Sequence, residues 1–430
     1  EFGHKGTDDF QTNLSSLHET KAEIKFIQTE DQLPSINDEE IVIDALLGSG
    51  LNRPIEGFTA EVVNHINQFG KNIISIDIPS GLFVDKSSKD NVVVQADHTL
   101  TFQCQKLAFL MPENAKYTGK VHILNIGLHQ KFLKSITPVY EWMDAAMIRK
   151  IYKPRQAFAH KGSHGHAFLI AGSYGKMGAA ILCAKACVRS GAGLVTAHTP
   201  SRGVDILQIT VPEAMCDPDR NEWVNQSIVS DLSKFNAIGI GPGMGTDPLT
   251  AELIDNLLQR QDKPLVLDAD ALNIISRNKK LLNSMPPDSV LTPHPKEFER
   301  LFGESGNDFV RLEKALEFAN ALKVIIVLKG HYTFVATPGG RGYFNSSGNP
   351  GMATGGTGDV LTGLITGLIA QGYAPLEATL FGIFWHGVAG DYAAEQFSEE
   401  SMTASDLIEQ LGTVILSVIN STIQDEPFLL

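Results

Sequence analysis

The sequence predicts an α/β protein built as two blocks in series. Short apolar, β-branched runs recur along it, each followed by a Gly-rich or acidic turn and then a helical pattern, the signature of β-α units around a parallel sheet. The chain has 430 residues, 43% hydrophobic and 20% charged, enough for two or three domains and too apolar to remain disordered. In the first third, strands are predicted at residues 22–27, 40–45, 72–77, 98–103 and 121–126. A second series follows at 166–171, 193–198, 236–240, 264–267, 289–292 and 324–328, with helices between most of them. The last hundred residues change character. Residues 332–336 and 342–345 read as short antiparallel strands, and 360–370, 375–394 and 404–420 as helices. Patterning is weakest at 135–145, so the domains are placed at 1–138 and 146–430.

Charge and cysteine usage narrow the function classes. With 35 Lys and Arg against 49 Asp and Glu, the net charge is 35 − 49 = −14, and no Lys/Arg-rich block offers the basic surface that nucleic acid or anionic lipid requires. The four cysteines are too few and scattered for a disulfide scaffold, and no C-x-x-C pair occurs, which fits a reducing cytoplasm. There is no run of ~18 apolar residues and no secretory h-region near the start, so a soluble intracellular protein is expected. The start at Glu1 rather than Met suggests that a segment has been removed upstream.

The most informative segment is NPGMATGGTGD, residues 349–359, running into the helical pattern VLTGLITGLIA. Glycines let consecutive N–H groups point at one place and a following helix adds its positive end, so Gly355, Gly356, Thr357 and Gly358 form a candidate phosphate nest. Asp359 would stand at its mouth, placed to take a proton from a substrate hydroxyl at phosphorus; the plainer alternative is a helix-capping Asp. No Lys-Ser/Thr follows the glycines, so this is not a Walker A loop.

Two further Gly-rich turns, AGSYGKMG (171–178) and GIGPGMG (239–245), follow predicted strands, where open parallel sheets collect ligands. LDADALN puts Asp268 and Asp270 after a strand, and TPHPKEFERL puts His294 and Glu297 at a helix start. These are oxygens suited to Mg²⁺ beside phosphate, or else simple caps. Lys329 ends a strand where a cation could meet a nucleotide, or lie exposed in a hairpin. The histidines of HKGSHGH (160–166) lack acidic or thiol partners at ligand spacing and read as a strand-leading loop. Cys183, Cys187, Trp385 and His386 read as core.

Taken together, HKGSHGHAFLIAGSYGKMGAA, GLVTAHTP, GIGPGMG, LDADALN, LTPHPKEFERL, VLKG and GNPGMATGGTGDVLTG, spanning about 160–365, resemble the ADP-dependent NAD(P)H-hydrate dehydratases, which have the three-layer ribokinase-like fold. The pair TPHP-x-E and GMATGG-x-GD is the specific part. The resemblance implies that phosphate passes from ADP to the ring hydroxyl of a hydrated nicotinamide cofactor and is then eliminated to restore NAD(P)H. It further implies that Ala179, Gly243, His294 and Asp359 contact the hydrated cofactor, NAD(P)HX, with Asp359 as catalytic base. Lys329, Gly330, His331, Tyr332, Thr333 and Gly358 would contact ADP or ATP, the glycine nest would stabilise the transferred phosphoryl group, and Glu297 would order Mg²⁺ through water. Sugar kinases of this fold usually carry Asn where this chain has His294, which argues against a small-molecule kinase; the intact GGTGD argues against a lapsed nucleotide-binding scaffold. The family also implies a homo-oligomer.

In the first block, IVIDALLGSGLNRP (41–54) and IISIDIPSGL (73–82) are apolar strands ending in Asp and a small-residue loop. As parallel neighbours they would gather Asp44, Asp77 and Ser80 at one sheet edge, as cation ligands or as caps. Both segments resemble the Rossmann-like NAD(P)H-hydrate epimerases. By that resemblance Asp44 and Ser80 would bind K⁺, and Gly48, Ser49, Gly50, Leu51, Asn52, Arg53, Pro54 and Asp77 would contact the cofactor. The epimerases' G-G-N-N-G-G-D-G loop does not occur in this chain. The first block is therefore expected to be a partial, truncated and inactive Rossmann-like module with an uncovered apolar face or sheet edge.

Overall fold

The structure, a computed structural model, describes residues 6–420. The chain forms two compact units: one runs to Ser135 and takes in Asn307–Phe309, and the other holds Ile136–Gly306 and the chain from Val310 onward. Among the described residues no helix is long and apolar enough to cross a membrane.

The first unit is a four-stranded parallel sheet of β1 (Ile41–Asp44), β2 (Asn72–Ile76), β3 (His98–Phe102) and β4 (Lys120–Leu124), in that order. The helix Gly57–Phe69 crosses from β1 to β2 and buries Val63 and Ile66, three apart on one face, with Ile73 and Val94. At the β1 edge Ile41 and Ile43 are 64% and 65% exposed. The strand expected at 22–27 does not form. AEIKFI alternates in the right period, but no neighbouring strand pairs with it, and Phe26 stays exposed.

The second unit is built on a ten-stranded sheet. Its members are β5 (Tyr140–Met143), β6 (His166–Ile170), β7 (Leu194–Thr199), β8 (Met215–Pro218), β9 (Ala237–Ile240), β10 (Leu265–Leu267), β11 (Val290–Leu291), β12 (Ile325–Leu328), β13 (Thr333–Ala336) and β14 (Gly342–Asn345). Their spatial order is β5-β14-β13-β12-β11-β10-β9-β6-β7-β8. From β8 to β12 the pairing is parallel, β12, β13 and β14 pair antiparallel, and β14 pairs parallel with β5. The chain winds outward from β6 to β8 and then returns to lay β9 on the other side of β6. The order therefore reverses between β6 and β9, where a doubly wound sheet opens a crevice at its carboxyl ends. The Gly-rich turns at 171–178 and 241–245 follow those two strands.

The helix Thr357–Ala370 is buried from Val360 to its end and packs against the helix Met177–Arg189 at the distance of a backbone contact. A Cβ built on Gly363 would lie 2.2 Å from the Cys183 carbonyl oxygen, so only glycine permits this approach. Gly-xxx-Gly at 363 and 367 thus sets the spacing of the layer that carries the glycine nest.

Candidate active site

Three strand ends and one helix start converge on the carboxyl side of the large sheet. Gly356, at φ +101°, turns the chain so that Thr357, Gly358 and Asp359 form the first turn of the helix Thr357–Ala370. Across from it, Lys329 Nζ lies 2.7 Å from Asp268 Oδ1, and Thr362 Oγ1 donates to Asp268 Oδ2 at 2.9 Å. A Cβ on Gly358 would stand 3.4 Å from that ammonium and 3.5 Å from Asp268 Oδ2. Both are ordinary van der Waals distances, so the start of this helix lies in direct contact with the lysine and the carboxylate.

Burial, and then the charge of Asp268, push the Asp359 carboxyl up to about 7 against the pull of Lys329. At neutral pH it is divided between acid and base, the condition that suits a general base.

His294 caps the helix Pro295–Phe302, its Nδ1 accepting from Lys296 N at 3.1 Å, while Glu297 Oε2 accepts from His294 N at 2.9 Å. Burial, then the Lys329 and Arg300 charges, lower the imidazole, which leaves His294 neutral at pH 7. Burial raises the Glu297 carboxyl. Ala179 and Gly243 meet on the far side of the crevice: Gly243 has φ +59°, and a Cβ there would come within 2.7 Å of Ala179 Cβ. Asp270 Oδ2 accepts from Gly245 N at 2.9 Å and faces Lys176 at 3.5 Å.

A cavity of about 670 Å³ opens beside this group, lined by His294, Lys329, Gly330, His331, Thr333, Thr357 and Gly358 among others. Of the remaining expected nucleotide contacts, Tyr332 packs its ring on Trp142 and His331, and Gly355 and Gly356 lead into the helix start. The sequence reading takes His386 for a core residue and does not single out Asp391. His386 lines the cavity, with Nε2 2.8 Å from the Thr357 carbonyl oxygen, and burial holds its pKa down to about 4. Asp391 accepts from Gly348 N and Asn349 Nδ2 and so fixes the segment before the nest. Both interrupt the apolar stretch 380–394 of the helix Pro375–Phe397, and that interruption is the signal that could have found them.

Among the described residues no three His, Cys, Asp or Glu side chains are grouped as a metal cage. Glu297 alone would suit a divalent ion whose other ligands are phosphate and water. Two of the three histidines at 160–166 make ring hydrogen bonds: His160 Nδ1 accepts from Gly162 N, and His166 Nε2 meets Thr196 Oγ1. Cys183, Cys187 and Trp385 are buried.

In the first unit, Asp44 pairs in register with Ser75. Its carboxylate accepts from Ser75 Oγ at 2.7 Å, Ser80 N at 2.8 Å and Ser80 Oγ at 2.6 Å. Asp44 and Ser80 thus come together as expected, but their oxygens engage one another, and K⁺ would have to share them. The 48–54 loop follows β1, and Gly48 approaches Asp77 to 4.0 Å as measured from a built Cβ. Asp77, at φ +67°, meets Lys106 Nζ at 2.9 Å, a partner the sequence reading missed. Burial works to raise the Asp77 carboxyl, yet Lys106 and the Phe102 N–H outweigh it and hold the group below its ordinary value.

The ten-stranded sheet and the cavity beside its strand ends define a ribokinase-like α/β protein. The profile of the NAD(P)H-hydrate dehydratase family matches residues 167–412. A bifunctional NAD(P)H-hydrate repair enzyme of Moorella thermoacetica is 35% identical over 422 residues, covering 95% of this chain and 79% of the relative. Its Escherichia coli counterpart is 33% identical, covering 90% and 74%. The crystal structure of an ADP/ATP-dependent NAD(P)H-hydrate dehydratase from Bacillus subtilis, co-crystallised with ATP and Mg²⁺, superposes with a TM-score of 0.56 at 30% identity, covering 65% of this chain and 98% of that one. The chain belongs to the family of bifunctional NAD(P)H-hydrate repair enzymes. The profile of YjeF-related N-termini matches residues 2–108, so the expectation of a truncated first block is not supported.

Proposed function

We propose that the second unit, the domain expected at 146–430, dehydrates hydrated NADH or NADPH at the expense of ADP, and that the first, expected at 1–138, interconverts the two epimers of the hydrate. One observation carries the dehydratase reading: a carboxyl poised at about 7 at the mouth of a glycine nest, beside the Lys329–Asp268 pair.

In this reading Lys329, Gly330, His331, Tyr332 and Thr333 hold the nucleotide in the 670 Å³ cavity, with the N–H groups of the nest on the phosphoryl group in flight. Ala179, Gly243 and neutral His294 hold the hydrated ring. Asp359 takes the proton of the ring hydroxyl as its oxygen bonds to the β-phosphorus of ADP and AMP departs. The ring phosphate then leaves, the neighbouring carbon gives up a proton, and the dihydropyridine returns. Mg²⁺ ordered near Glu297 would offset the negative charge of the phosphates. In the first unit the 48–54 loop and Asp77 hold the cofactor, with K⁺ at Asp44 and Ser80.

The test is to mix the chain with hydrated NADH, Mg²⁺ and ADP, and to follow reduced-nicotinamide absorbance together with AMP and phosphate. Equal amounts of NADH, AMP and phosphate are expected. Nucleotide consumption on an added alcohol, with no absorbance gain, would replace the lyase reading with that of a kinase.

A further inference from the structure

Another cavity, about 750 Å³, opens at the start of the helix Met177–Arg189, lined by Tyr174, Gly175, Gly178, Arg202, Asp205 and Glu222 among others. Gly178 borders Ala179, and Leu182 of the same helix lies where a Cβ on Gly356 would come within 2.4 Å. The four residues from Gly178 to Leu182 rise about 6 Å, so this cavity begins one helical turn from the phosphate nest. Its floor is bare backbone, since a Cβ built on Gly175 or Gly178 would meet nothing within 4 Å.

One wall is aromatic. Tyr174 stands edge-on to Trp223, with ring centroids 4.4 Å apart, and remains 63% exposed, which leaves a ring face free. The other wall is charged. Arg202 Nε donates to Glu222 Oε2 at 2.9 Å, and its guanidinium lies 4.1 Å over the Trp223 ring. With Asp205 alongside, the lining carries two carboxylates against one guanidinium. A free purine-sized ring face beside uncompensated acid suits an adenosine whose ribose diol donates to carboxylate, the device by which dinucleotide sites select the unphosphorylated cofactor. A 2′-phosphate would add about two negative charges to a wall whose only guanidinium among the lining residues is already engaged.

We propose that this cavity receives the adenosine end of the dinucleotide, stacked on Tyr174, and that Glu222 and Asp205 make the chain select hydrated NADH over hydrated NADPH. The inference rests on the dehydratase reading and adds the choice between its two substrates.

The test compares kcat/KM for the two hydrates in the parent, in Glu222→Gln and in Glu222→Gln/Arg202→Gln. The parent should favour hydrated NADH by about tenfold or more. Glu222→Gln, which frees the guanidinium for a phosphate, should narrow that ratio by about tenfold, and the double variant should lose the gain. Binding of NADH and NADPH themselves, read as the emission lost between the parent and Trp223→Phe, gives the same comparison without turnover. Equal use of both hydrates, with a ratio indifferent to Glu222, overturns this inference and leaves the lyase reading standing. Tighter quenching by NADH than by NADPH in a chain that restores neither hydrate supports the cavity and removes the lyase reading.

Discussion

A carboxyl that titrates near 7 is about half ionised in neutral solution, so a reaction depending on its ionised form should accelerate with rising pH and level off above that value. The pH profile of kcat/KM for dehydration should accordingly have its acidic limb centred near 7. Burial and Asp268 set that value, in that order, so Asp268→Asn should move the midpoint to lower pH; a midpoint unchanged by the substitution would assign the limb to another group. Asp359→Asn should cost on the order of 10² to 10⁴ in turnover if the residue is the base. The same residue bears on stability with the opposite sign. Its folded value lies above the ordinary 3.8, so the native state holds the proton more tightly than the unfolded chain. The stability this confers is present below about pH 4 and is lost as pH climbs through about 7. Asp359→Asn escapes that loss, so at pH 8 it should melt higher than the parent by ~2–4 °C for each 1 kcal/mol recovered. A variant slower and more stable at pH 8, with the gap closing toward pH 4, is the expected result.

At the scale of elements, the strands of the large sheet were legible wherever an apolar β-branched run ended in a Gly-rich or acidic turn, as in β6, β9, β10 and β12. Tyr140–Met143 and Met215–Pro218 were not, because each has four residues without such a run and is strand only through its pairing with β14 or β7. Helix packing was equally hidden. VLTGLITGLIA reads as an apolar helix, but nothing local says that Gly363 faces the Cys183 carbonyl. Gly363→Ala should cost about 1–3 kcal/mol, measured by denaturant unfolding, because two backbones must separate to admit the methyl. His198, at the end of β7, makes the other testable contact. Its Nδ1 lies 2.8 Å from Asp217 and its Nε2 3.1 Å from Asp219, so both nitrogens must donate and the ring is a cation. Burial works to lower its pKa, and the two carboxylates overcome that and raise it above 6.5. A raised histidine stabilises below its unfolded value and loses that contribution as pH rises through the folded one. The parent should therefore lose stability with rising pH above about 6.5, and His198→Gln should lack that slope.

For the whole molecule, what the sequence made legible was local: the glycine nest with Asp359 and the TPHP-x-E cap each lie within a dozen residues, and Asp44 and Asp77 each follow directly on their own apolar run. What it hid were the partners brought from afar, such as Lys106 against Asp77, His386 against Thr357 and Asp391 against Gly348, because their spacing is set by the folded path rather than by any local period. The distribution of chemistry over two units makes one prediction about the intact chain. The Asp77 cluster lies in the first unit and Asp359 in the second. If each unit performs one step, a racemic hydrate supplied with excess ADP should be restored past half conversion by the parent, faster than in a control lacking enzyme. Asp77→Asn removes the charge facing Lys106 without enlarging the side chain, so repair should run at the parental rate to about half conversion and then fall to the uncatalysed rate. Asp359→Asn should instead stall from the outset with either epimer. A parent that itself stops at half would mean that the first unit does not interconvert the epimers, and a slower first phase in Asp77→Asn would mean that the cluster acts on the fold and not on epimerisation.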